Sequence, residues 1–171
     1  MKNIFKCAGI LVLILALGTA VSSCGFGSKK TGEKLLEKAI EKETGENADV
    51  DISGEKAVIE TDKGRLEFDP DNASWPGEIP DEIPEFKYGK ITGVITSSME
   101  EGDSWNVIFE EVEEGYIDKY NAELKQKGFE TTFMKIGEQG GSITVDNDNY
   151  TIFLMGGDGK ASVGVTVKKQ Q

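Results

Sequence analysis

Apolar positions in this chain change their spacing several times, and each change marks a different kind of element. From Ala8 to Ala20 they are nearly continuous, with Lys2 and Lys6 before them and Val21-Ser22-Ser23-Cys24 after them. From Thr31 to Thr44 they recur at helical spacing, placing Leu35, Leu36, Ala39 and Ile40 on one narrow stripe among Glu and Lys. Gly45 stands where a helix C-terminal cap belongs. Short alternating segments follow: Val50 and Ile52, then Ala57-Val58-Ile59, then Leu66 and Phe68, separated by Ser53-Gly54 and Asp62-Lys63-Gly64. Residues 31–69 therefore read as a helix and a three-stranded meander. A piece of about 40 residues with no disulfide is too small to stand alone and is expected to dock on the remainder.

All four prolines fall between Pro70 and Pro84, and Trp75-Pro76, Ile79-Pro80 and Ile83-Pro84 recur every four residues. Proline fixes φ and pushes the preceding residue toward extended backbone, so residues 70–88 are neither helix nor central strand. One reading is a polyproline-type ligand for an aromatic groove. The preferred one is a strap, with Trp75, Ile79 and Ile83 buried on the chain's own surface and the acids between them in water.

A larger unit over residues 89–168 follows. Ile91–Met99 and Trp105–Val112 read as paired strands joined through Glu100-Glu101-Gly102-Asp103. Glu113 and Glu114 lead into a helix, where negative charge suits the positive end of the dipole. The inward face of that helix is Ile117, Tyr120 and Leu124. Gly128 and Phe129 close it as a Schellman motif, with Phe129 packing back on Leu124. Strands at 131–136 with 142–145, at 150–155 and at 161–167 complete the unit. The order predicts an α+β fold: an antiparallel sheet with a helix packed on one face, preceded by a small helix-plus-meander unit and a Pro-rich strap.

The chain's beginning speaks to location. Its apolar run has the length of a signal peptide and falls short of the roughly 20 residues that span a bilayer. Small residues leading into Cys24 make the pattern of a bacterial lipobox. The expected organisation is a leader over 1–23, lipid on Cys24, and a short tether over 24–30 in which Lys29 and Lys30 approach anionic headgroups. That places the protein on the extracytoplasmic face of the bacterial cell membrane, held by lipid on Cys24.

Composition narrows the chemistry. The chain carries 31 acidic against 19 basic side chains, and losing the leader removes two lysines and no acids. Such a surface argues against nucleic acid, whose binding depends on Lys and Arg displacing counterions. The leader takes Cys7 and the anchor takes Cys24, so no disulfide remains. Histidine is absent altogether, which removes Ser-His-Asp triads, Cys-His pairs and nearly all zinc chemistry.

Weak motifs remain. Asp146 and Asp148 in Asp146-Asn147-Asp148-Asn149 resemble the start of a calcium loop. Tyr150 then stands at the third donor, Thr151 at the glycine and Gly157 at the closing Glu. Gly159-Lys160 echoes a phosphate loop, but Leu154 and Ala161 replace its first glycine and its Ser/Thr. The pairs Glu100-Glu101, Glu110-Glu111 and Glu113-Glu114 offer glycosidase carboxylates in principle, yet neighbours on a strand point to opposite faces. Trp75, Trp105, Tyr88, Tyr116, Tyr120 and Tyr150 are candidates for sugar stacking, and most sit in phase with the core.

The stretches Glu37-Lys38-Ala39-Ile40, Thr44-Gly45, the Trp75-to-Pro84 repeat, Gly89-Lys90-Ile91, Trp105, Tyr120, Leu124 and Gly128-Phe129 together resemble a family of uncharacterised bacterial surface lipoproteins. The resemblance covers most of the chain after the leader. It implies a Gram-positive surface setting and transfers no catalytic residue or ligand. The expected function is a membrane-anchored, non-enzymatic binding or scaffolding module of the cell envelope, with no cofactor and an envelope protein as possible partner. The alternatives are a small carboxylate-dependent glycan hydrolase and a calcium-responsive surface module.

Overall fold

In a computed structural model the described residues are 29–45, 47–100, 102–137 and 140–169, with side chains described throughout except at 29–31 and 43. The leader and Cys24 lie outside them. Residues 33–171 form one compact unit and residues 1–32 a second, nearly all of which is outside the described residues.

Helix α1 (Lys29–Thr44) takes in Lys29 and Lys30, which the sequence assigned to the tether. Gly45 closes it as expected, with φ 73° and its N–H donated to the Glu41 carbonyl at 2.8 Å. Its apolar stripe is less buried than its spacing suggests: Ile40 is buried, whereas Leu35 is 52% exposed. The Glu33 carboxylate accepts a hydrogen bond from the Ile52 N–H at 3.1 Å and so ties the helix to strand β1.

The strands are β1 (Ala48–Ser53), β2 (Lys56–Thr61), β3 (Gly64–Asp69), β4 (Lys90–Met99) and β5 (Gly102–Glu110). Helix α2 (Tyr116–Gln126) follows, then β6 (Thr132–Ile136), β7 (Gly140–Asp146), β8 (Tyr150–Gly157) and β9 (Lys160–Lys168). All nine join one antiparallel sheet in the order β1-β2-β3-β4-β5-β9-β8-β7-β6. The expected α+β arrangement, with a separate helix-plus-meander unit, is therefore corrected to a sheet-dominated fold. β3 pairs with β4 over six rows, from Gly64–Met99 to Asp69–Val94. The Pro-rich segment folds into turns instead of interposing, so β4 returns beside β3 and the meander continues the main sheet.

Those turns are regular. The N–H groups of Ile79 and Ile83 donate to the carbonyls of Pro76 and Pro80, at 3.2 and 2.9 Å. Each Pro-x-x-Ile thus closes on itself and drives an isoleucine inward. Ile79, Ile83 and Phe86 are buried, Trp75 is partly buried against the same core, and Asp81, Glu82 and Glu85 face solvent. The strap reading is correct in outline, with Phe86 as its deepest anchor.

Helix α2 ends as predicted. The Phe129 N–H donates to Leu124 and the Gly128 N–H to Lys125, both at 3.0 Å, with Gly128 at φ 89°. Ile117, Tyr120 and Leu124 are buried, joined by Tyr116. Together α2 and the strap cover one side of the sheet, where Val94, Val107, Phe109, Ile143, Leu154, Val163 and their neighbours form the core.

Candidate functional site

The residues singled out in the sequence are scattered. Asp146 is engaged at the end of β7: its carboxylate accepts from Lys168 Nζ at 2.7 Å and from the Thr151 hydroxyl at 2.9 Å. These contacts, the lysine first, lower its pKa. In the next turn Asn147 Oδ1 accepts from the N–H groups of Asn149 and Tyr150, leaving Asp148 exposed at the tip. No group of three or more His, Cys, Asp or Glu is arranged to hold a metal among the described residues. Glu110 pairs with Lys160 at 2.8 Å, which takes up the phosphate-loop lysine, and Glu113 pairs with Lys119 at 3.0 Å. Glu101 lies outside the described residues. None of the acidic pairs converges with another.

Among the aromatics, Trp105, Tyr116 and Tyr120 are core, and Trp75, Tyr88 and Tyr150 border it. Trp75 separates two open hollows of about 610 and 640 Å³ that both include Glu85 and Lys87. The first is floored by Pro76, Pro80 and Pro84 of the strap.

The four tyrosines share a physical signature. The Tyr88 hydroxyl donates to Glu123 at 2.6 Å, Tyr120 to the Pro84 carbonyl at 2.9 Å and Tyr150 to Glu82 at 2.8 Å. Among the described residues the buried Tyr116 hydroxyl has no partner. Burial pushes Tyr88 up to about 12, helped by Glu123, and raises Tyr116 and Tyr120; the Glu82 hydrogen bond raises Tyr150. A phenol pKa raised by folding contributes stability in full below the unfolded value near 10, and that contribution is lost as pH rises through the folded value. Absorbance titration at 295 nm is expected to show tyrosinate forming well above pH 10 in the folded protein, with unfolding setting in between pH 10 and 12. A normal step at pH 10 with the fold intact would contradict this burial.

The feature that the sequence reading missed is the other side of the sheet. In an antiparallel pair, residues directly opposite each other project to the same face. Following the register from strand to strand, the side away from α2 presents Val50, Ile59, Leu66, Ile95, Asn106, Gly164, Phe153, Thr144 and Thr132 across its middle. Between its rims this face carries no charged side chain on any of the nine strands, in a chain that is 29% charged. Charges return only at the ends, as the Glu110–Lys160 and Asp146–Lys168 pairs. The α2 side of β1–β3 is the opposite case: there Lys56 pairs with Asp69 at 3.2 Å and Arg65 with Glu67 at 2.8 Å.

Toward β6 the uncharged face becomes openly apolar. Met134 is 58% exposed, Ile136 63%, Phe153 43% and Met155 56%. Met155 and Met134 flank Ser142 in one row, and Phe153 and Thr132 flank Thr144 in the next. Small residues on β7 thus form the floor between larger ones on β8 and β6. A contiguous exposed apolar patch of this kind marks an interaction surface more often than isolated surface hydrophobes do. No protein-family model, curated protein or solved structure matches this chain, so its own geometry carries the functional argument. No helix among the described residues is long and apolar enough to cross a membrane.

Proposed function

We propose that this protein is a lipid-anchored binding or scaffolding module of the bacterial cell envelope, working by docking through its uncharged sheet face. The exposed cluster of Met134, Ile136, Phe153 and Met155 on a face without charge carries the reading. Val50 at the β1 end of this face is buried, and it is the exposed, uncharged stretch over β6–β8 that a heavily acidic chain leaves open for a stable apolar contact. The lipobox ending in Cys24 supplies the location, and the resemblance to surface lipoproteins supports the same setting.

The experiment joins both parts. Cys24→Ala is expected to move the chain out of the membrane fraction and abolish incorporation of a fatty-acid label. In the anchored wild-type background, a photoreactive residue at Phe153 is expected to give a crosslinked adduct, whereas one at Asp49, on the charged side, gives none. A chain that stays membrane-bound and labelled without Cys24, or a Phe153 probe that crosslinks to nothing, would defeat the proposal.

A further inference from the structure

We infer that the strap carries a binding site for a neutral oligosaccharide, a chain of pyranose rings running past Trp75 through the two hollows beside it. The site stands on the α2 side of the sheet and does not depend on the docking face proposed above. Of the rings weighed for stacking on sugars, all but one are committed elsewhere. Trp105, Tyr116 and Tyr120 are buried, and the Tyr88 and Tyr150 hydroxyls are held by Glu123 and Glu82. Trp75 is half-buried, its indole N–H has no partner among the described residues, and its ring lines both hollows. The C–H face of a pyranose is apolar and packs flat on such a ring, while its hydroxyl edge needs donors and acceptors at the side.

The polar groups around Trp75 supply them. The hollows share Glu85 and Lys87, and the first adds Gln126 of α2. These side chains are exposed and make no hydrogen bond or ion pair among the described residues. Lys56, Lys119, Lys135, Lys160 and Lys168, by contrast, are all paired with carboxylates. Carboxylate, ammonium and amide together match hydroxyl groups, each of which both donates and accepts. Charge narrows the ligand further. Around the two hollows Asp81, Glu85 and Glu123 are balanced by Lys87, Lys90 and Lys127, in a chain with 31 acids against 19 bases. A polyanion or a polycation finds no net field to hold it there. A proline-rich peptide docks in a groove lined with aromatic rings, and Trp75 is the one ring at the first hollow. The floor is also preformed. Pro76 and Pro80 open turns closed by the N–H groups of Ile79 and Ile83. The Tyr120 hydroxyl and the Lys127 ammonium hold the carbonyls of Pro84 and Asp81 at 2.9 and 3.3 Å. A ligand therefore meets a site already ordered, which lowers the cost of binding.

The test titrates neutral tetrasaccharides (the N-acetylglucosamine tetramer, cellotetraose and maltotetraose) into the detergent-purified full chain, followed by calorimetry and tryptophan fluorescence. At least one is expected to bind saturably and to shift the emission of Trp75, whereas Trp105 is buried and does not respond. Trp75→Ala is expected to weaken that binding about tenfold, the loss of one stacked ring. Because Trp75 also packs on the core, Glu85→Ala and Lys87→Ala are made separately. Both side chains are exposed, so these variants keep their fold, checked by circular dichroism, and each is expected to weaken binding roughly fivefold. Lys125→Ala, on α2 but outside the hollows, leaves binding unchanged. No saturable binding of any of these sugars overturns the inference, as does binding that Trp75→Ala, Glu85→Ala and Lys87→Ala all leave intact. A decaproline, polyglutamate or polylysine chain bound more tightly than every sugar overturns it too. None of these outcomes touches the docking role, which is read at Phe153 and Cys24.

Discussion

Phe86→Ala is expected to lower the unfolding free energy by about 3–5 kcal/mol, the loss that accompanies deletion of a fully buried aromatic ring. Phe86 is 2% exposed and touches four rings. Its centroid lies 4.6 Å from Phe109, 5.3 Å from Tyr120, 5.4 Å from Tyr88 and 5.8 Å from Tyr116. It therefore joins the strap to β5 and to α2 at a single point, and the Tyr120 hydroxyl fixes the adjoining strap carbonyl at Pro84. Alanine there leaves a cavity bounded by three separate elements, none of which can collapse without moving the others. Trp75→Ala is expected to cost less, on the order of 1–2 kcal/mol, because partial burial removes less apolar area from water. Urea unfolding followed by the fluorescence of Trp105, buried in the same core, gives both numbers. Equal losses, or a larger one at Trp75, would mean that the strap is anchored at its start and not at its end.

The parts of this fold that were legible in the sequence are those set by neighbours a few residues apart. Gly128-Phe129 after Leu124 specifies the closure of α2 because all its partners lie within one turn. Val163, Val165 and Val167 specify β9 because alternation needs no knowledge of what covers it. The strap was legible for the same reason: a proline every four residues dictates where each isoleucine turns in. What the sequence did not reveal is long-range pairing. Nothing local announces that β3 will meet β4 across a 20-residue excursion, and so a continuous sheet looked like two units. The exposed face was hidden by a related ambiguity. In Thr132-Phe133-Met134-Lys135-Ile136 apolar residues fall on both alternating sets, so the segment itself does not say which set meets the core. Only its place at the end of the sheet, reached by the crossover through α2, leaves Met134 and Ile136 uncovered. Asp146, placed in a loop by its composition, instead ends β7, and Asp148 stands in the turn after it. That Lys168 engages Asp146 depends on a residue 22 positions away.

That same crossover makes the attachment of β6 depend on one glycine, and Gly141→Ala is expected to detach it. Gly141 has φ 154°, a conformation that residues with a side chain adopt only under strain. A Cβ at this position would press into the Met134 carbonyl oxygen of β6 and stand 2.7 Å from Ile117 Cδ1 of α2. The backbone strain costs about 1–3 kcal/mol and the overpacking about as much again. Neither is relieved by a small shift, because the obstacle on one side is backbone and on the other is the buried face of a helix. The cheapest response is to release β6, whose one strand neighbour is β7 and whose Lys135–Asp118 pair with α2 is exposed. Hydrogen exchange is therefore expected to show the β6 amides, and the β7 amides bonded to them, losing protection far more than those of β2 and β3. Gly77→Ala, where an added Cβ meets nothing within 4 Å, serves as the unaffected control. A variant that kept full protection in β6 would mean that the Met134 carbonyl does not lie against Gly141, and the register on which the exposed face was assigned would fall with it.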